Sequence, residues 1–131
     1  MNTQSYDFII IGGGSAGYAA ARTAHELGMK TAVVDGADEL GGLCILRGCM
    51  PSKTLIESSN RFRSIRHAKE FGLRAENPEV KPAEIIARKR QLIGEFAEYR
   101  QGQLEDERFD LIRGTATFTG PNNLVATLRE S

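Results

Sequence analysis

The chain has little of what makes many functions easy to read. Only two cysteines occur in 131 residues, too few for a disulfide-dense scaffold. No apolar stretch approaches the roughly 20 residues that a membrane-spanning helix needs. Charge of one sign is missing too: 17 basic and 17 acidic residues cancel, so there is no broad electrostatic footprint for nucleic acid or anionic lipid. Neither nucleic acid nor membrane is expected as a partner. The opening residues, Met1 to Ile11, lack the basic flank and small-residue cleavage site of a secretory signal, so a cytoplasmic location is expected. There glutathione and thioredoxin keep ordinary thiols reduced, which disfavours a structural disulfide. With few prolines, 40% hydrophobic and 26% charged residues, what is present is the composition of a globular chain of one-domain length.

Residues 6–11, Tyr-Asp-Phe-Ile-Ile-Ile, form a short apolar run that suits a strand buried on both faces of a parallel sheet. From Ser15 to Leu27 the composition turns helical, and Gly28 is placed to end the helix. Residues 31–35, Thr-Ala-Val-Val-Asp, are the next buried strand, which completes a βαβ unit. Pro51 is expected to open a helix running towards Lys69 and ending near Gly72, with Asn77 and Pro78 in a turn. Pro82 opens a second long helix, whose apolar residues Ile85, Ile86, Ile93, Phe96 and Leu104 recur near the helical period. Its charges, Arg88, Lys89, Arg90, Glu95, Glu98 and Arg100, read as a solvated face. Residues 109–113 look like a further parallel strand, and 115–119 with 124–128 like a hairpin around the turn 120–123. The outer hairpin strand has no later partner and leaves an exposed edge, as in a truncated domain.

Gly12, Gly14 and Gly17 have the G-x-G-x-x-G spacing. The first glycine allows a tight turn out of the strand, the second lets backbone approach a pyrophosphate, and the third permits close packing of helix on strand. The helix that starts at Ser15 and Ala16 then aims its positive end at the phosphates. The loop lies between an expected strand and an expected helix, and Asp35 ends the second strand where a carboxylate can accept from a ribose. Asp35 alone would serve equally as a strand-end turn residue. The fingerprint does not separate FAD from NAD, since both offer an ADP half.

Cys44 and Cys49 lie in the stretch GGLCILRGCMPSK. A zinc site needs four protein ligands, or three plus water, and neither His25 nor His67 has ligand spacing to the cysteines. No metal site is expected within one chain, and the histidines read as surface or packing residues. A disulfide between the two would close a very small loop, where chain-entropy stabilisation is least, so it makes more sense as chemistry than as a staple. Cys49 lies just before the helix expected at Pro51, where backbone N–H groups and the helix dipole lower a thiol's pKa. Arg47 and Lys53 add positive charge nearby.

Residues 41–51 resemble the redox-active signature of the class I pyridine nucleotide-disulfide oxidoreductases, the flavoenzyme family that includes dihydrolipoamide dehydrogenase, glutathione reductase and mercuric reductase. The resemblance extends over the glycine loop, the acidic strand end, the helices and the hairpin, essentially the whole chain. It implies an α/β, Rossmann-like FAD/NAD(P)-binding fold: three parallel strands in order 3-2-1 with helices, then the start of an antiparallel meander. Residues 1–131 would be the N-terminal portion of a FAD-binding domain. The resemblance further implies that Cys44 is the interchange thiol attacking the substrate disulfide and Cys49 the thiol facing the flavin. Gly12, Gly14, Ser15, Ala16, Gly17, Asp35, Gly41, Gly42 and Lys53 would bind FAD, with Lys53 near the flavin ring. Electrons would pass from NAD(P)H through flavin and the Cys44–Cys49 disulfide to a small dithiol or disulfide, or to a protein-bound lipoyl group, in a homodimeric parent enzyme.

The chain departs from the family in carrying Leu43 where Thr is most common and Ile45-Leu46-Arg47 in place of Val-Asn-Val. Pro51-Ser52-Lys53 resembles the lipoamide and mercuric branches more than the glutathione branch. No second glycine fingerprint follows Gly17 and no histidine follows His67. The NAD-binding and dimerisation domains are therefore expected to be absent, and the chain alone inactive. The contrasting expectation is a free-standing nucleotide-binding or thiol-sensing module without catalysis.

Overall fold

The computed structural model describes residues 3–106 and 108–129. Strands β1 (Phe8–Ile11), β2 (Thr31–Val34) and β3 (Asp110–Ile112) form a parallel sheet in that order, the expected 3-2-1 arrangement read from its other edge. Helix α1 (Ser15–Glu26) connects β1 to β2. Its buried residues Tyr18, Ala21 and Ala24 recur every three positions and form one face against the sheet. All four residues of β2 are buried, because it has neighbours on both sides. In β1 only Ile10 is buried, whereas Phe8, Ile9 and Ile11 are exposed. The expectation of a strand buried on both faces is thus corrected: within the described residues β1 is an edge strand with one partner.

Three further α-helices fill the long connection between β2 and β3. Helix α2 (Gly42–Leu46) was not expected; five residues are too short for periodicity to show. Helix α3 (Cys49–Arg66) starts two residues before Pro51. Proline fits there because first-turn N–H groups have no intrahelical acceptor. After α3 a short 3-10 turn over Ala68–Phe71 ends at Gly72, whose φ of 72° stops the helix. Asn77, with φ of 47°, makes the expected turn. Helix α4 (Pro82–Leu104) opens with Pro82 as foreseen. Its periodic apolar residues are unevenly covered: Ile85, Ile86 and Ile93 are half-buried, Phe96 is exposed, and of these five only Leu104 is fully buried.

The core gathers Ile10, Tyr18, Ala21, Val33, Leu40, Leu104 and Phe109. Tyr18 meets Phe109 edge to face at 6.5 Å, and its hydroxyl accepts from Arg108 Nη2 at 3.2 Å. Arg100 Cζ lies 4.3 Å from the Tyr18 ring centroid, and its Nε and Nη1 are buried without partners. Arg100 therefore leaves the solvated face to which its neighbours were assigned. Strands β4 (Gly114–Gly120) and β5 (Asn123–Leu128) form the expected hairpin, a separate antiparallel sheet with an irregularity between Phe118 and Gly120. Among the described residues no helix is long and apolar enough to cross a membrane.

Candidate functional site

The site begins at the carboxyl ends of β1 and β2, where a parallel sheet opens its crevice. Gly12 N–H donates to Val34 O at 2.8 Å, extending the ladder by one residue. The chain then turns through Gly12 into α1, with Gly14 as its N-terminal cap residue. A Cβ on Gly17 would stand 1.8 Å from Gly12 O, so only glycine lets the helix rest on the turn. No side chain caps α1 and no acidic residue occupies its first turn. Its first N–H groups, from Ser15 and Ala16 onwards, are left without a side-chain acceptor, the condition an anion at a helix start requires.

Asp35 is half-buried just beyond β2. Its Oδ2 accepts from Gly13 N–H at 2.7 Å and its Oδ1 from Ala37 N–H at 2.8 Å. The carboxylate thus braces the glycine loop and retains lone pairs for a further donor. Both the turn role and the availability to a ribose remain with this side chain. Sequence reasoning missed what holds its loop. Ala37 O accepts from Arg113 Nη2 and, at 3.1 Å, from Arg129 Nη1, while Arg129 Nη2 lies 2.7 Å from Asp38 Oδ1. These contacts span 76 and 92 positions, and no local pattern could have announced them.

Gly41 and Gly42 carry the thiol segment to the glycine loop. Both adopt positive φ, 132° and 76°. A Cβ on Gly42 would lie 2.6 Å from Gly14 Cα, so the two backbones touch directly. Cys44 follows in α2 and Cys49 is the first residue of α3. Both thiols are free in this structure, Cys44 half-buried and Cys49 exposed. Each thiol is the largest influence on the other, raising the pKa of Cys44 and lowering that of Cys49 below the ordinary thiol value. The charge of Lys53, one helical turn along α3, acts on both thiols in the direction of ionisation. Ionisation is therefore easier at Cys49 than at Cys44.

Neither histidine joins this site: His25 lies late in α1, and His67 Nδ1 pairs with Glu70 Oε1 at 2.7 Å beyond the end of α3. No group of three or more His, Cys, Asp or Glu could hold a metal among the described residues. The uncapped start of α1, the glycine contacts and the free capacity of Asp35 fit the ADP half of a dinucleotide.

Fold and site together define an α/β protein of Rossmann-like fold in which the segment carrying both cysteines meets the glycine loop at Gly42. The chain belongs to the pyridine nucleotide-disulphide oxidoreductase family, which it matches over residues 6–129. It is 35% identical over 117 residues to a dihydrolipoyl dehydrogenase of Bacillus subtilis (strain 168), covering 89% of this chain and 24% of the relative. It is 37% identical over 124 residues to the dihydrolipoyl dehydrogenase of Rhizobium etli, covering 93% and 25%. Among solved structures it is similar to the Cu(II) complex of the HOCl-induced flavoprotein disulfide reductase RclA from Escherichia coli, with a TM-score of 0.71, 25% identity, and coverage of 92% of this chain and 24% of that one. The chain spans about a quarter of the length of the curated relatives it matches.

Proposed function

We propose that this chain supplies the FAD-binding loop and the redox dithiol of a cytoplasmic disulfide oxidoreductase, which moves electrons from NAD(P)H to a small disulfide or a protein-bound lipoyl group. The observation that carries this reading is the backbone contact of Gly14 with Gly42. It brings the segment that carries both thiols, in α2 and α3, to the uncapped start of α1.

In this reading Gly12, Gly14, Ser15, Ala16 and Gly17 hold the pyrophosphate through backbone N–H groups and the α1 dipole. Asp35 accepts from the ribose, and Gly41, Gly42 and Lys53 lie along the flavin half. Bound FAD supplies a two-electron carrier between the nicotinamide and the dithiol. The chain's own chemistry is thiol–disulfide exchange. Deprotonated Cys44 attacks one sulfur of the substrate disulfide and releases a thiol. Cys49 thiolate then attacks the Cys44 sulfur and releases the second thiol, leaving a Cys44–Cys49 disulfide. The thiols shift each other in opposite directions, Cys44 up and Cys49 down, so Cys44 must lose its proton before it attacks.

The test is an absorption spectrum of the purified chain after incubation with FAD. A retained flavin band that changes when the thiols are reduced supports the reading. A colourless, folded protein that binds ADP with unaltered affinity for NAD in place of FAD points instead to a nucleotide-binding or thiol-sensing module.

A further inference from the structure

A cleft of about 300 Å³ lies between α2, the first turn of α3 and the middle of α4. None of its lining residues belongs to the glycine loop or the thiol pair. Its walls are apolar, from Leu46, Pro51, Ile93 and Ala97, and its mouth carries Lys89 and Arg90. The volume is at the lower limit of small-molecule sites, roughly 300 Å³.

Two features distinguish the cleft from an ordinary groove between helices. The first is unbalanced charge. Among the described residues, neither Lys89 nor Arg90 has a carboxylate within ion-pair distance, although Lys89 is half-buried. Glu39, which also lines the cleft, is approached by Arg47 at 4.0 Å instead. The second is Gly94, in the interior of α4. Glycine there costs about 1 kcal/mol relative to alanine, yet a Cβ at Gly94 would meet nothing within 4 Å. The glycine is not demanded by packing, and the space beside it is open. Along α4, Lys89, Ile93 and Ala97 recur every four residues, as do Arg90 and Gly94, so cationic groups and apolar wall follow one another on one side of the helix.

We infer that this cleft binds a small amphiphilic monocarboxylate, its chain against Leu46, Pro51, Ile93 and Gly94 and its carboxylate between Lys89 and Arg90. A carboxylate supplies the missing counter-charge, and a guanidinium can take it through two parallel hydrogen bonds. The site is independent of the flavin reading, since it uses none of those residues.

Octanoate is the probe, titrated into the 131-residue chain and followed by calorimetry and by backbone amide shifts. Saturable binding is expected, with the largest shifts at Ile93, Gly94 and Ala97. Octanol, which keeps the chain but not the charge, is expected to bind at least about tenfold more weakly. The double variant Lys89→Gln/Arg90→Gln, changed at the mouth, should lose about the same factor and keep the wild-type circular dichroism. Gly94→Leu, which fills the space, should abolish binding while Gly94→Ala retains it. Absence of octanoate binding to the wild-type chain overturns the proposal. So does binding that survives both the double variant and Gly94→Leu, because that places the ligand elsewhere, including at the thiols.

Discussion

Cys44 and Cys49 have the same side chain, yet the pKa of Cys44 is raised and that of Cys49 lowered. The Cys44 thiol is the largest influence on Cys49, ahead of the charge of Lys53. Replacing Cys44 by Ala removes that influence, and the Cys49 pKa should rise towards the ordinary thiol value. Alkylation of Cys49 by iodoacetamide reads this directly. In the wild type the rate should be lost only as pH falls through the depressed pKa, and in Cys44→Ala at a higher pH. An unmoved profile would assign the depressed value to Lys53 and the helix start. Gly17 is the other residue whose identity decides its surroundings. Gly17→Ala puts a methyl 1.8 Å from Gly12 O, and a loss of about 1–3 kcal/mol is expected from forced displacement, read as a lower urea midpoint. Gly17 was legible from the G-x-G-x-x-G spacing between an expected strand and helix, and Cys44 and Cys49 from the resemblance carried by residues 41–51. Arg100 was not: a charge in an exposed-looking helical pattern gives no sign that it lies over Tyr18.

Among the elements, α4 shows how little periodicity determines without a partner surface. Its 23 residues carry helical spacing throughout, yet burial is concentrated at its last residue, Leu104, which packs beside Gly13 and within the core. Leu104→Ala should therefore cost about 2–5 kcal/mol, whereas Phe96→Ala, at an exposed position of the same helix, should cost well under half as much; chemical denaturation of the two variants checks the contrast. The loop after β2 depends on the opposite end of the chain. Arg113 and Arg129 converge on Ala37 O, fixing the backbone whose N–H groups hold the Asp35 carboxylate. The double variant Arg113→Ala/Arg129→Ala should weaken ADP binding by about threefold to tenfold and lower stability by only about 1 kcal/mol, as exposed polar contacts do. ADP titration and urea unfolding on the same samples separate those effects.

For the whole molecule, the proposed function separates holding a redox pair from running a reaction. The 131 residues contain one glycine fingerprint and two histidines, neither histidine near the thiols. Purified alone, the chain is expected to show no NAD(P)H-dependent disulfide reduction, although its reduced thiols should exchange stoichiometrically with an added disulfide. Sustained NAD(P)H oxidation would contradict this. The exposed edge of β1 and the exposed apolar residues Phe118, Val125 and Leu128 of the hairpin are sheet surfaces that ordinarily find cover. By itself the sequence determined the βαβ unit, the turn of the glycine loop and the hairpin, because these rest on local turn geometry and side-chain alternation. Only the tertiary structure decided that β1 is an edge, that Gly42 touches Gly14, that two distant arginines secure the Asp35 loop, and that the two thiols shift each other's pKa in opposite directions. Each of those depends on contacts between segments far apart in the chain, where the free energy of packing is not written in any local pattern.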